Sequence, residues 1–109
     1  MRQWYGINPR FLCRKHLLGE HVEQHMAAAS ISKGKKLGKL FSEGWIDPGR
    51  VRERHDACSL EMQRRGYKHN SPLDYQDPFP SMNQDAQRHL KELTERCPEC
   101  RSKITEDIT

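Results

Sequence analysis

The run HLLGEHVEQHM, His16 to Met26, decides the fold: it carries three histidines and two glutamates in eleven residues. Its periodicity predicts an amphipathic helix from about Arg10 to Ala29. On a helical wheel Phe11, Leu18, Val22, Met26 and Ala29 fall on one stripe, and His16, Glu20 and Glu23 share another face. The stripe is expected to be buried and the second face to meet a ligand. Gly19, inside the helix, costs about 1 kcal/mol relative to alanine. It marks a tolerated defect or a close approach by a backbone or ligand.

Outward from that run, punctuation sets the other elements. Met1 to Pro9 is an extended arm ending in the turn signal Asn8-Pro9, with Trp4, Tyr5 and Ile7 giving it surface to dock. After Ser30 comes a glycine-interrupted loop crowded with Lys33, Lys35, Lys36 and Lys39. It is a solvated loop or, with backbone freedom at its glycines, a phosphate-contacting one. Asp47-Pro48 predicts an N-cap and first helical residue, and Gly66 a stop, for a helix over Pro48 to Arg65. Val51, Ala57, Cys58 and Met62 form its apolar stripe. Tyr67 to Pro80, broken by prolines, should wrap the domain as an extended segment. A capping box at Ser81 to Gln84 opens a third helix carrying Met82, Ala86, Leu90 and Leu93. The expected fold is an all-α, compact three-helix single domain over 1–96, with an extended N-terminal arm and a Pro-rich connection. A Cys-x-x-Cys knuckle and tail follow over 97–109.

Composition narrows the function. The chain has 109 residues, 34% hydrophobic and 31% charged, so its core is small and helical or is helped by a metal or a partner. Lysine and arginine number 19 against 15 acidic residues, a net charge of +4 that favours an anionic partner, nucleic acid first. No apolar run is long enough to span a bilayer, and the N-terminus lacks a signal peptide's apolar segment. A cytoplasmic, nucleoid-associated protein is expected, neither secreted nor membrane-bound. In a reducing compartment Cys97-Pro98-Glu99-Cys100 reads as half of a structural zinc site, with Cys97 and Cys100 as ligands. The remaining ligands would come from Cys13, Cys58, a histidine or a second chain. Cys13 and Cys58, lying in helices, are more simply small buried hydrophobes. His21 and His25, at i and i+4, suit one ion, but H-V-E-Q-H is not the H-E-x-x-H order. They read as surface or packing residues.

In this order the pieces resemble the pyrimidine-dimer DNA glycosylases, the phage-type endonuclease V proteins. The carrying residues are H-L-L-G-E-H-V-E from His16 to Glu23, similar to that family's H-L-x-A-E-x-x-E signature. The K-G-K-K loop from Lys33 to Lys36 and E-M-Q-R-R-G-Y from Glu61 to Tyr67 complete the likeness, which covers roughly Met1 to Asn70.

The resemblance implies a compact helical glycosylase acting on damaged double-stranded DNA, with abasic-site lyase activity by β-elimination. Its nucleophile would be the α-amine of the chain terminus, attacking the sugar C1′ to form an imine. An α-amine titrates near ~7.7–8.0 against ~10.4 for lysine, so part of it is unprotonated at neutral pH. Arg2 is bulky and leaves the initiator in place, so the amine is that of Met1 unless processing exposes Arg2. Glu23 matches the family's essential carboxylate, with His16 near the abasic sugar and Glu20 as support on the same DNA-facing side. Where the family has phosphate-contacting arginines this chain has Val22 and Met26. Lys33, Lys35, Lys36, Lys39, Arg50, Arg54, Arg64 and Arg65 are left to meet phosphates. Trp4, Tyr5 and Tyr67 are candidate wedges for an opened base stack, with core packing the simpler role for Trp4. No cofactor is needed for catalysis. The alternative is a non-catalytic DNA-binding protein on the same scaffold, a monomer or a zinc-bridged dimer joined through its knuckles.

Overall fold

The computed structural model describes residues 3–4, 6–34, 45–68, 72–73, 75 and 86–108. Among them the chain is all helix with no strand: a 3-10 turn at Pro9–Phe11, then α1 (Arg14–Ser32), α2 (Val51–Arg64), α3 (Ala86–Arg96) and α4 (Pro98–Ile108). The all-α class is as expected, and α4 adds a helix where a knuckle and tail are read from the sequence. Its signals are local: Pro98 at the first helical position and Glu99 in the first turn.

Element ends follow from capping chemistry. The Asn8 side chain accepts from the Arg10 N–H at 3.1 Å and starts the 3-10 turn, which Leu12 ends in extended geometry. α1 therefore begins at Arg14, with Cys13 as its N-cap, rather than at Arg10. Asp47 does not cap α2 directly. Its carboxylate accepts from the Gly49 N–H at 2.9 Å and its carbonyl from the Arg50 N–H at 3.1 Å, making a turn ahead of Val51. α2 ends in a Schellman motif: the Tyr67 N–H donates to the Met62 carbonyl and the Gly66 N–H to that of Gln63, with Gly66 at φ +80°. The capping box at Ser81 to Gln84 and Met82 lie outside the described residues.

α1 and α2 form the most extensive helix pair and run antiparallel, because Leu17 shares a cluster with Cys58 and Met62 while Ala27 and Ala28 share another with Val51. The first cluster also gathers Trp4, Ile7, Leu12, Leu93, Cys97 and Cys100, drawing the arm, α3 and α4 onto that end. The second takes Ile46, with Leu73 and Tyr75 of the Pro-rich connection packed against it.

Between the two clusters the helix pair is polar, and this corrects the wheel reading of α1. The buried residues of α1 are Leu17, Glu20, His21, Gln24, Ala27 and Ala28, whereas Val22 and Met26 are 54% and 52% exposed and Ala29 is exposed. A polar face can be buried only where its groups find partners, and here they do. Arg54 reaches Glu20, and the Gln3 Nε2 donates to the Gln24 Oε1 at 2.9 Å. Gln3 also donates to the Asp47 carbonyl at 3.2 Å and accepts from the Asp47 N–H at 2.7 Å. The Gln3 backbone N–H donates to the Trp45 carbonyl at 2.8 Å, so the start of the chain is sewn to the segment before α2.

Candidate functional site

Two faces of α1 near its N-terminus carry the chemistry. One lines a cleft of about 220 Å³ walled by Trp4, Lys15, His16, Gly19, Glu20, Glu23 and Arg96. Glu23 is half-buried at this wall, one turn beyond Gly19. A side-chain carbon built at Gly19 would meet nothing within 4 Å, so the glycine leaves open space in the helix wall. Lys15 and Arg96 are exposed at the cleft and bring positive charge to an opening that also holds the carboxylate. That combination can bind an anionic strand and move a proton. Trp4, 4% exposed, packs edge-on against the His16 ring with centroids 5.7 Å apart, and belongs to the core while forming one side of the cleft.

Glu20, though part of that wall, is buried. The Arg54 Nε and Nη2 donate to its two carboxylate oxygens at 2.6 and 2.7 Å, and the Arg54 Nη1 donates to the Ile7 carbonyl at 3.0 Å. Burial works against the Arg54 charge, but Glu20 outweighs it and holds the guanidinium above its ordinary value. Arg54, expected at a phosphate, is thus turned inward with its donors spent on the protein. The Cys58 thiol beside the pair is pushed up by burial and then by the Glu20 charge, which makes it unreactive.

The other arginines of α2 are also engaged. Arg50 pairs with Asp47 and Glu53 at 3.4 and 3.8 Å, and Arg52 with Asp56 at 3.6 Å. Arg64 and Arg65 both grip Glu61, whose carboxyl sits below the usual range through the Arg64 hydrogen bonds first, against burial, and then through Arg65. Arg65 further donates to the carbonyls of Pro9, Arg10 and Leu12, tying the 3-10 turn to the end of α2. Tyr67 is half-buried with the Arg14 guanidinium 4.8 Å from its ring centre. Lys33 is exposed at the C-cap of α1. Met1, Arg2, Tyr5, Lys35, Lys36 and Lys39 lie outside the described residues.

The second face gathers potential metal ligands. The Cys13 sulfur lies 3.2 Å from the His16 Nδ1 and 3.8 Å from the Cys97 sulfur, and the Cys100 sulfur lies 3.6 Å from the same nitrogen. All four ligand atoms fall within 4.8 Å of one another, a group that could hold a metal ion. Cys13, expected as a plain buried hydrophobe, is buried but joins Cys97 and Cys100 here. The signal overlooked in the sequence is the C-x-x-H from Cys13 to His16. His21, His25 and His55 form a second such group, the Nε2 atoms of His25 and His55 being 3.1 Å apart and the His55 Nδ1 2.8 Å from the Asp56 carboxylate.

The sequence model of the pyrimidine dimer DNA glycosylase family matches residues 1–75. The chain belongs to that family. No curated protein and no solved structure matches it. The match spans the arm, α1 and α2, and with them Glu23, the Glu20–Arg54 pair and the histidine group. α3 and α4, with Arg96 of the cleft, Cys97 and Cys100, lie beyond the matched residues. Membership assigns this pyrimidine dimer DNA glycosylase family protein to DNA repair, with damaged DNA as the substrate class the family implies. Among the described residues no helix is long and apolar enough to cross a membrane.

Proposed function

We propose that this family member excises the base at pyrimidine dimers in duplex DNA and cuts the resulting abasic strand, working from the cleft that Glu23 lines. The observation that carries the reading is Glu23 half-buried in a cleft with Lys15 and Arg96 at its edge, the residue that the resemblance aligns with the family's essential carboxylate. The α-amine of the chain terminus attacks the sugar C1′ and loses a proton as the C1′–N bond to the base breaks and the base leaves protonated. The C1′–O4′ bond then opens, O4′ taking up a proton, to give the imine. Glu23 stabilises the positive charge on the sugar and takes the C2′ proton. The C3′–O bond then breaks and the 3′ strand leaves as its phosphate. His16 sits in the cleft wall near the sugar, and Lys15, Arg96 and the lysines Lys33, Lys35, Lys36 and Lys39 meet phosphates. Amine and carboxylate suffice for this chemistry, and a metal at the Cys97 and Cys100 pair would serve the fold.

The anchoring of Gln3 and the burial of Trp4 support an amine-based route, because they hold the described part of the arm in place with Trp4 at the cleft itself. The test is borohydride trapping on ultraviolet-irradiated duplex. A covalent adduct that disappears when the N-terminus is blocked, and binding that weakens steeply with salt, are expected. Binding without any adduct would leave the non-catalytic alternative standing instead.

A further inference from the structure

We propose that Cys13, His16, Cys97 and Cys100 bind one zinc ion in a closed tetrahedral site that fastens α4 to the first turn of α1. The site shares His16 with the cleft wall, but it is read by metal content and so stands or falls separately from strand cutting.

The site is built from two matching pairs. Cys13 is the N-cap of α1 and His16 lies three residues on, while Cys97 stands immediately before α4 and Cys100 lies three residues on. Residues three apart across a helix's first turn point the same way, so each pair presents two ligands on one side. The two turns face each other.

Distances decide the metal geometry. Zinc sits about 2.3 Å from sulfur and about 2.0–2.1 Å from nitrogen, so a tetrahedron places two sulfurs about 3.8 Å apart and sulfur and nitrogen about 3.5 Å apart. The Cys13 and Cys97 sulfurs are 3.8 Å apart, and the His16 Nδ1 is 3.2 and 3.6 Å from the sulfurs of Cys13 and Cys100. Three thiols and one imidazole are a soft set that suits a d¹⁰ ion in four-coordination, and four protein ligands leave no position for water. Cys13 and Cys97 are 3% and 8% exposed and Cys100 is fully buried, as a structural site requires. All four ligands come from one chain, so the site closes without a partner.

The surroundings support charge on sulfur. The Cys13 N–H donates to the Cys100 sulfur at 3.2 Å and the Cys100 N–H to the Cys97 sulfur at 3.4 Å. Three thiolates on a dication leave one net negative charge, which lies against the N-terminal ends of two helices. Cys58 is buried elsewhere in the same cluster and is not within the ligand group.

The consequence is architectural. Cys13 and His16 lie inside the family match and Cys97 and Cys100 outside it, so the ion joins the matched portion to α4 beyond it. It also fixes the His16 ring in the cleft wall beside Trp4.

Metal analysis of the purified full chain should find one zinc per chain. The cobalt-substituted protein should show thiolate-to-metal charge-transfer bands and intense tetrahedral visible bands. Cys13→Ser and Cys100→Ser should each lose at least tenfold in zinc affinity, and Cys58→Ser and His25→Ala should keep the wild-type stoichiometry. A metal-free chain, iron with inorganic sulfide, or zinc that survives both serine variants and leaves with His25→Ala would overturn the proposal. If the serine variants do not fold, the wild-type cobalt spectrum decides alone: absence of thiolate charge transfer contradicts the site.

Discussion

Arg54 crosses from α2 to hold Glu20 of α1 through two nitrogens, at 2.6 and 2.7 Å, in the polar layer between the two apolar clusters. The pair fixes α1 one turn from Glu23, in the same cleft wall. Removing one partner strands a buried charge, which costs about 3–5 kcal/mol. Arg54→Ala and Glu20→Ala should each lower stability by that order in denaturant titration. The Glu20→Ala/Arg54→Ala double variant should lose much less than the sum of the two singles, with the coupling read from that double-mutant cycle.

Gly19→Ala tests the helix-propensity cost at the cleft wall. No atom lies within 4 Å of the added methyl, so the helix should gain about 1 kcal/mol from better propensity. The same methyl projects into the space beside Glu23. A higher melting temperature with strand cutting retained is expected, measured on one protein preparation, since the signature H-L-x-A-E-x-x-E that this run resembles carries alanine at the matching position.

Gly6 is held at φ +77°, and a side-chain carbon there would collide with the Ala86 Cβ at the start of α3. Both strain and overlap oppose any larger residue. Gly6→Ala should lose about 1–3 kcal/mol in thermal unfolding, since overpacking adds to the backbone cost.

Gln3→Ala should act on positioning. It leaves the Asp47 N–H and the Gln24 amide oxygen without the partner each now has in Gln3, at about 1–3 kcal/mol for each buried group. Trapping by borohydride should slow while duplex affinity holds, because the altered residue anchors the arm and touches no DNA in the proposed reading.

Glu61 gives the pH dependence. Its folded pKa is depressed by Arg64 and Arg65, below about 4.3 for an unfolded glutamate. The stabilisation is therefore present above the unfolded value and is lost as pH falls through the folded one. Glu61→Gln should lower the melting temperature at pH 7, and the gap from wild type should close in acid.

Much of the fold was legible in local chemistry. Gly66 ends α2 as expected because a left-handed C′ position is a one-residue signal. The family match over residues 1–75 contains the H-L-L-G-E-H-V-E run that carried the resemblance. What a wheel could not supply was the buried side of α1. That side is chosen by partners 34 residues away at Arg54 and 21 away at Gln3, and hydrophobicity alone pointed to Val22 and Met26, which lie outside. The cysteine cluster was half visible for a similar reason. C-x-x-C stood out by itself, but C-x-x-H gains meaning only when the fold brings His16 to Cys100, 84 residues on. The surface role expected of Arg54 could not be distinguished from a buried one until Glu20 was seen to hold it.

The central claim is that Glu23 performs the chemistry in this cleft. Single-turnover cutting of a duplex with one abasic site, compared between wild type and Glu23→Gln at matched DNA occupancy, tests it most directly. A fall of about 10²–10⁴-fold with unchanged duplex affinity is predicted, the usual contribution of a positioned proton-transfer group. Cutting at the wild-type rate by Glu23→Gln would contradict it.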